Sequence, residues 1–336
     1  MCRHGLLIWL LFVLGCFVGC GGGVESSGPA AGGGTEAETS DTADAGETRG
    51  VIGFSALTLK NPFFKIIADT LTDEAKQHGW EVIVTDAADD VHQQANHIDN
   101  FIAQRVTAIV LNPADRIAIG PAIQKANEAG IPVFTCDLQC VAEGAEIAGH
   151  VGTDNFQGGK LAGEAMIEAL GEAGGDVLIL HKKAANSCVL RVDGFREVID
   201  AYNEGRESGR INLVAELEGA GDEDISYKAT LDALQGNQNL AGIFAINDPS
   251  ALGAWKALDQ STKTDQVVIV GFDGQMEGKQ AIKEGKIHAD PIQFPDRIAA
   301  QTVDKIAKYL NGEEYEKVEL IPTQLYRQAD AEAELQ

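Results

Sequence analysis

The chain has 336 residues, of which 44% are hydrophobic and 23% charged. That is the balance of an ordinary soluble globular protein, with length for two domains at roughly 100–200 residues each. The formal net charge is −25 and the pI ≈ 4.5, so a phosphate backbone would be repelled and nucleic-acid binding is excluded.

The first element is not fold. Residues 1–20 open with Arg3 and His4, run apolar from Leu6 and end in small residues. This reads as a secretory signal, too short and too abruptly ended for a spanning helix; a retained anchor helix is the competing reading. Phe17-Val18-Gly19-Cys20 resembles the bacterial lipobox, whose cysteine is lipidated after cleavage, although Phe17 stands where that motif usually has Leu. Cys16, behind Val13-Leu14-Gly15, is the alternative lipidation site. Residues 21–49 are dominated by Gly, Ala, Ser, Thr, Glu and Asp. They lack the apolar surface that would offset ordering entropy, so a disordered tether is expected. The expected product is an exported lipoprotein, in the periplasm or on the outer cell surface, that meets the membrane only through its lipid.

Six cysteines suggest a disulfide framework, but Cys2 and Cys16 leave with the signal if cleavage precedes Cys20. Cys136, Cys140 and Cys188 remain, an odd set without a zinc-type CxxC pair. A Cys136–Cys140 bridge and a set of small buried thiols are both open.

From Gly50 a rhythm begins. The apolar, β-branched runs VIGFSA, EVIVTDA and TAIVLNP are followed by amphipathic stretches at 62–78, 91–104 and 117–129, and IPVFTCD continues the series. GGDVLILH, INLVAEL, LAGIFAIN and QVVIVGFD repeat it after a break near HVGTDN. Continuous apolar strands alternating with helices mean βαβ units, hence an α/β protein of two Rossmann-like lobes with parallel sheets. Asn61-Pro62 reads as an N-cap with proline at the first helical position, Asp248-Pro249 as a repeat of it, and Gly79 and Gly130 as C-terminal caps.

Open α/β sheets bind ligands beyond the carboxyl ends of their strands. There the sequence places Asn112, Asp137, Asn247 and Asp273, with Asn61 and the adjacent Phe63 and Phe64 just past the first strand. Any one such residue also suits a helix cap or turn. Together they suit a sugar or polyol. Planar amides and carboxylates pair vicinal hydroxyls, and an unpaired buried hydroxyl costs about 1–3 kcal/mol. A flat ring offers the apolar C–H face a surface, so one Phe is expected on the ligand and the other in the core. Packing of both rings into the core, as a staple of the helix start, is the bland alternative.

LKNPFF, LNPADRIAIGPAIQKANEAGIPVFTCD, TDNFQGGKLAGEAM, FAINDPSALGA and VIVGFDG with GKQAI resemble the ribose-type periplasmic sugar-binding proteins, receptors of ABC importers. The resemblance covers almost everything after Gly50 and keeps motif order. It implies a type I periplasmic binding protein: a first lobe of residues 51–153 and 294–320, a second of 154–293 and 321–336, and a three-crossing hinge. The crossings fall near Thr153–Asp154, at Gln293 and near Leu320. Carried over position by position, Asn61, Phe63, Phe64, Asn112, Asp137, Asn247, Asp273 and Gln293 contact the ligand. Thr58 or Leu57 fills a Ser/Thr position, Asp154 lies at a crossing, and Arg191 is read as structural, pairing within its own lobe.

Two departures bear on the ligand. The family has arginines where this chain has Leu138 and Val189, and a second-lobe phenylalanine is replaced by EGAGDEDISY. Losing two guanidinium forks implies that the ligand need not be ribose.

An enzyme is not expected: HExxH, GxSxG and the phosphate-loop motif are absent, and His181 and Lys182 near a strand end have no nucleophile beside them. No cofactor or metal is implied. Repressors with this body need a helix-turn-helix where this chain has a signal and tether. The expected partners are a small sugar or polyol and the membrane subunits of a permease, with the protein itself a monomer. A sensing module that presents bound sugar to a chemoreceptor or kinase is the alternative.

Overall fold

Residues 48–335 are described by the computed structural model. The expected signal, the expected lipidation site at Cys20 or Cys16, and nearly all of the expected tether lie outside them. Arg49, assigned above to the tether, instead belongs to the body: its N–H bonds the Gly79 carbonyl at 2.8 Å and its guanidinium lies over Trp80.

The first sheet is built from β1 (Gly50–Ala56), β2 (Trp80–Asp86), β3 (Ala108–Leu111), β4 (Val133–Cys136) and β5 (Gly149–Thr153), completed by β11 (Val318–Ile321). The second uses β6 (Gly175–His181), β7 (Ile211–Glu218), β8 (Leu240–Ala245), β9 (Val268–Val270), β10 (Ala289–Ile292) and β12 (Gln324–Arg327). Their orders, β11-β5-β4-β3-β1-β2 and β12-β10-β9-β8-β6-β7, are the same doubly wound pattern. Every pairing is parallel except β10 with β12. Strands β3, β4 and β5 are buried along their whole length, the consequence of helices covering both faces.

The helices are α1 (Pro62–Gln77), α2 (Val91–Gln104), α3 (Gly120–Glu128), α4 (Asn155–Leu170), α5 (Asn186–Asn203), α6 (Glu223–Gly236), α7 (Asp248–Gln260), α8 (Met276–Lys283), α9 (Pro295–Asn311) and α10 (Gln328–Glu334). Asn61 caps α1 by accepting from Phe63 N–H at 3.0 Å, with Pro62 behind it. Gly79 and Gly130 follow their helices with φ of +80° and +75°, the left-handed turn that glycine tolerates. At α7 the cap is one residue earlier than expected: Asn247 accepts from Ser250 N–H at 3.0 Å. Asp248 is therefore inside the helix and buried, free to turn toward Gln275 N–H at 2.7 Å.

The chain passes between the sheets three times, after β5, after β10 and after β11. The passages are bonded to one another. Thr153 Oγ1 donates to Gln293 Oε1 at 2.7 Å, and Thr323 N–H donates to Gln157 Oε1 at 3.0 Å. Helix α9 returns to pack against α1 beside the first sheet.

Candidate ligand-binding site

A cavity of about 270 Å³ lies between the two sheets, lined by the segments that follow β1, β2, β4, β6, β7, β8, β9 and β10. These are the carboxyl ends of the strands, the crevice in which open α/β sheets bind ligands. Of the residues expected to contact a ligand, Asn61, Phe63, Phe64, Asp137, Asn247, Asp273 and Gln293 line the cavity, as do Leu57, Thr58, Leu138 and Arg191.

Both phenylalanine rings line it and both are buried, so the division of one ring to the core and one to the ligand does not describe them. They meet edge to face, centroids 5.3 Å apart at 87°, which fixes each by the other. Burying both against the core leaves their remaining faces as a rigid apolar wall.

Asn112 is placed differently. It is fully buried, and its amide donates to the Cys136 carbonyl at 2.6 Å, tying the end of β3 to the end of β4 behind the cavity wall. Asp154 caps α4 by accepting from Gln157 N–H at 3.0 Å and does not line the cavity. Val189 does not either. On α5 the residues facing inward are Ser187, Cys188 and Arg191, the first two standing four and three positions before Arg191 and so sharing its helix face, and Val189 falls on another side. Leu138, by contrast, is buried and in the wall.

The second lobe supplies a fixed polar frame. Arg191 donates from Nε to Asn155 Oδ1 at 2.8 Å and from Nη1 to the Ile246 carbonyl at 2.6 Å and Asp273 Oδ1 at 3.1 Å. Its guanidinium also stacks on Phe272, 3.8 Å from the ring centroid. All these partners flank the second sheet. Asp273 further accepts from Gln293 Nε2 at 2.6 Å. Neither Asp273 nor Asn247 has a structural partner visible in sequence, yet both have one in the fold: Asn247 Nδ2 donates to the Gly221 carbonyl at 3.1 Å while its oxygen caps α7.

Asp137 stands opposite this frame, on the first lobe, at φ +59° and almost wholly buried. Its Oδ1 has no hydrogen-bond partner among the described residues. Burial pushes its carboxyl up to about 7, with Arg191 pulling it down and Asp273 adding to the rise. In the second lobe Asp248 belongs to the cavity wall and Asp290 lies beside it. Burial drives both carboxyls upward first; Asp290 and Asp273 raise Asp248 further, and Asp290 is lowered by its bond to Asp248 and raised by Asp273.

Sequence reading missed the groups that join the lobes. Lys60, after β1, pairs with Asp222 at 2.8 Å, and Lys182, after β6, pairs with Asp89. Away from these pairs, Asn186 Nδ2 bonds Gln139 Oε1 at 2.9 Å and Arg116 N–H bonds the Ala184 carbonyl at 2.9 Å. The acidic loop after β7 thus provides Asp222 for a bridge. Its charge pattern was visible, but only the fold sets it opposite Lys60. The three cysteines of the body are free, so no Cys136–Cys140 bridge forms, and Cys136 instead packs in the core.

Two like-ordered α/β sheets joined by three passages around a polar cleft define a two-lobed solute receptor. The chain matches the periplasmic binding protein domain over residues 52–314 and belongs to that family, whose members are non-enzymatic transport components. It is 33% identical to the ribose import binding protein of Escherichia coli (strain K12) over 257 residues, 76% of this chain and 83% of that one. Among solved structures it is similar to an ABC transporter solute-binding protein from Actinobacillus succinogenes 130z with bound D-allose. That likeness has a TM-score of 0.75 and 29% identity, covering 84% of this chain and 99% of the other. A Bacillus halodurans C-125 ABC transporter solute-binding protein with bound myo-inositol gives a TM-score of 0.76 at 27% identity, covering 87% and 98%.

Proposed function

We propose that this chain is an extracytoplasmic receptor that binds a sugar or polyol, closes on it by hinge motion, and delivers it to an ABC-type import permease. The observation that carries the reading is Gln293. It lies in a passage between lobes, accepts from Thr153 of another passage and donates to Asp273 in the cleft wall. A ligand hydroxyl that engages Asp273 therefore acts on the hinge through one side chain. Relatives with bound D-allose and myo-inositol, and one named for ribose import, support a polyhydroxylated ligand. Asn61, Asn247, Asp137 and Asp273 supply its hydroxyl partners, and Phe63 and Phe64 its apolar face. The body acts as a monomer, held to the membrane by a lipid on Cys20.

The test is calorimetry on the body with ribose, allose, myo-inositol and a wider set of pentoses, hexoses and polyols, followed by small-angle scattering with the ligand that binds. Closure by hinge motion predicts compaction at saturation. No binding across the set, or an unchanged scattering profile with bound ligand, would remove the reading.

A further inference from the structure

Charge in the cleft is unbalanced in a particular way. Three cations line it, Lys60, Lys182 and Arg191, and each is already paired: with Asp222, with Asp89 and with Asp273. Asp137 makes no ion pair among the described residues. It is nonetheless 4% exposed, so its carboxylate has lost water without gaining a counter-ion. An ionised carboxylate taken out of water without a partner is costly, and the cost is relieved when a cation arrives.

The surroundings offer no relief from within. His150, on the neighbouring strand, bonds Thr135 at 2.9 Å, and burial lowers its pKa to about 4, so it stays neutral. From the other lobe Arg191 reaches Asp273 but is also committed to Asn155 and the Ile246 carbonyl. Beside Asp137 the wall is Leu138, apolar and buried. A cationic group on the ligand would supply the missing charge.

Resting on the sugar-receptor reading above, we propose that the cleft takes a sugar or polyol bearing a protonated amine, with Asp137 as the counter-ion of that amine. The ammonium donates to the Asp137 carboxylate, the ring hydroxyls engage Asn247 and Asp273, and Phe63 and Phe64 cover the C–H face. A charge-assisted hydrogen bond in a water-poor cleft is stronger than a neutral one, so amine and hydroxyl at one ring position are separated by affinity.

The experiment is calorimetry with glucose, galactose and mannose, each beside its 2-amino and 2-acetamido derivative, and with myo-inositol beside an amino-inositol. At least one amine is expected to bind about tenfold more tightly than its neutral parent, and acetylation to remove the gain. The advantage shrinks as pH falls below about 7, because Asp137, raised by burial against the pull of Arg191 and with a further rise from Asp273, then takes a proton of its own. In Asp137→Asn the affinity ratio of amine to parent should fall toward unity. Asparagine keeps the shape and accepts the positive φ, and a melting curve checks that the variant is folded. If every neutral parent binds as tightly as its amine, the inference is overturned and the sugar-receptor reading stands. If nothing polyhydroxylated binds, charged or neutral, both fall.

Discussion

Gln293 Nε2 donates to Asp273 Oδ1 at 2.6 Å, while Gln293 Oε1 accepts from Thr153 at 2.7 Å. One amide joins two passages of the hinge to a carboxylate of the cleft, and Asp273 itself is held by Arg191 at 3.1 Å. A displacement of Asp273 would therefore reach two of the three passages between the lobes through one side chain.

Gln293→Leu keeps the volume and removes both bonds. Ligand affinity is expected to fall about tenfold or more, since a buried acceptor and a buried hydroxyl lose their partner at about 1–3 kcal/mol each. Compaction at saturation should also shrink. Calorimetry and scattering on the same variant check this, and a variant that binds and compacts like the parent would separate Gln293 from closure.

Asp273 and Asn247 call for different substitutions. Asp273→Ala strands the buried Arg191 guanidinium, so loss of fold accompanies loss of binding. Asp273→Asn retains an acceptor and tolerates the φ of +100°, and isolates the binding effect. Asn247→Ala removes the cap of α7, costing about 1 kcal/mol of stability, together with a cleft donor. Melting curves and calorimetry run together should show a smaller stability loss for Asn247→Ala than for Asp273→Ala, with binding weakened in both.

The Lys60–Asp222 pair spans the mouth of the cleft, with the lysine side chain 79% exposed. An exposed pair of this kind contributes about 0–1 kcal/mol and is screened by salt. Lys60→Gln is expected to weaken ligand affinity by no more than about fivefold and to flatten its dependence on ionic strength. Titrations at low and high salt measure it; an unchanged salt slope would count against a bridging role.

Asp248 and Asp290 give a pH signature. Burial holds the Asp290 carboxyl at about 7, and Asp248 is raised well above the ordinary carboxylate value by burial and by Asp290. The folded state keeps a proton that the unfolded chain releases near pH 4. Their stabilising contribution is thus present in full below about pH 4 and is lost as pH rises to about 7. Asp290→Asn should raise the melting temperature more at pH 8 than at pH 5, and flatten the decline between them. Equal shifts at both values would mean that the pair does not hold that proton.

Ribose is expected to bind weakly. Leu138 is in the cavity wall and supplies no donor, and Arg191, the guanidinium at hand, is already committed to three protein acceptors. A ribose posed there would leave hydroxyls buried and unpaired. A deoxy-sugar, an amino sugar or a polyol with an apolar segment near Leu138 should instead give the largest thermal shift, at 100 times its dissociation constant a stabilisation of about 2.7 kcal/mol. If ribose gave the largest shift in the panel, the argument from Leu138 would be wrong.

The sequence by itself determined the alternation of strands and helices, and with it the two parallel sheets and the strand-end positions of Asp137, Asn247 and Asp273. It could do so because fully buried strands need continuous apolar runs and helix starts need capping side chains, both local demands written in consecutive residues. Only the tertiary structure decided which polar strand-end residues face the cleft. Asn112 and Asp137 follow equivalent strands, yet Asn112 donates its amide to Cys136 behind the wall and Asp137 lines the cavity. The pitch of α5, which turns Cys188 inward in place of Val189, and the meeting of Lys60 with Asp222 across 162 positions of chain, are likewise absent from any local pattern. A hydrogen bond or ion pair between distant segments depends on how the lobes pack, and that packing is a property of the whole fold.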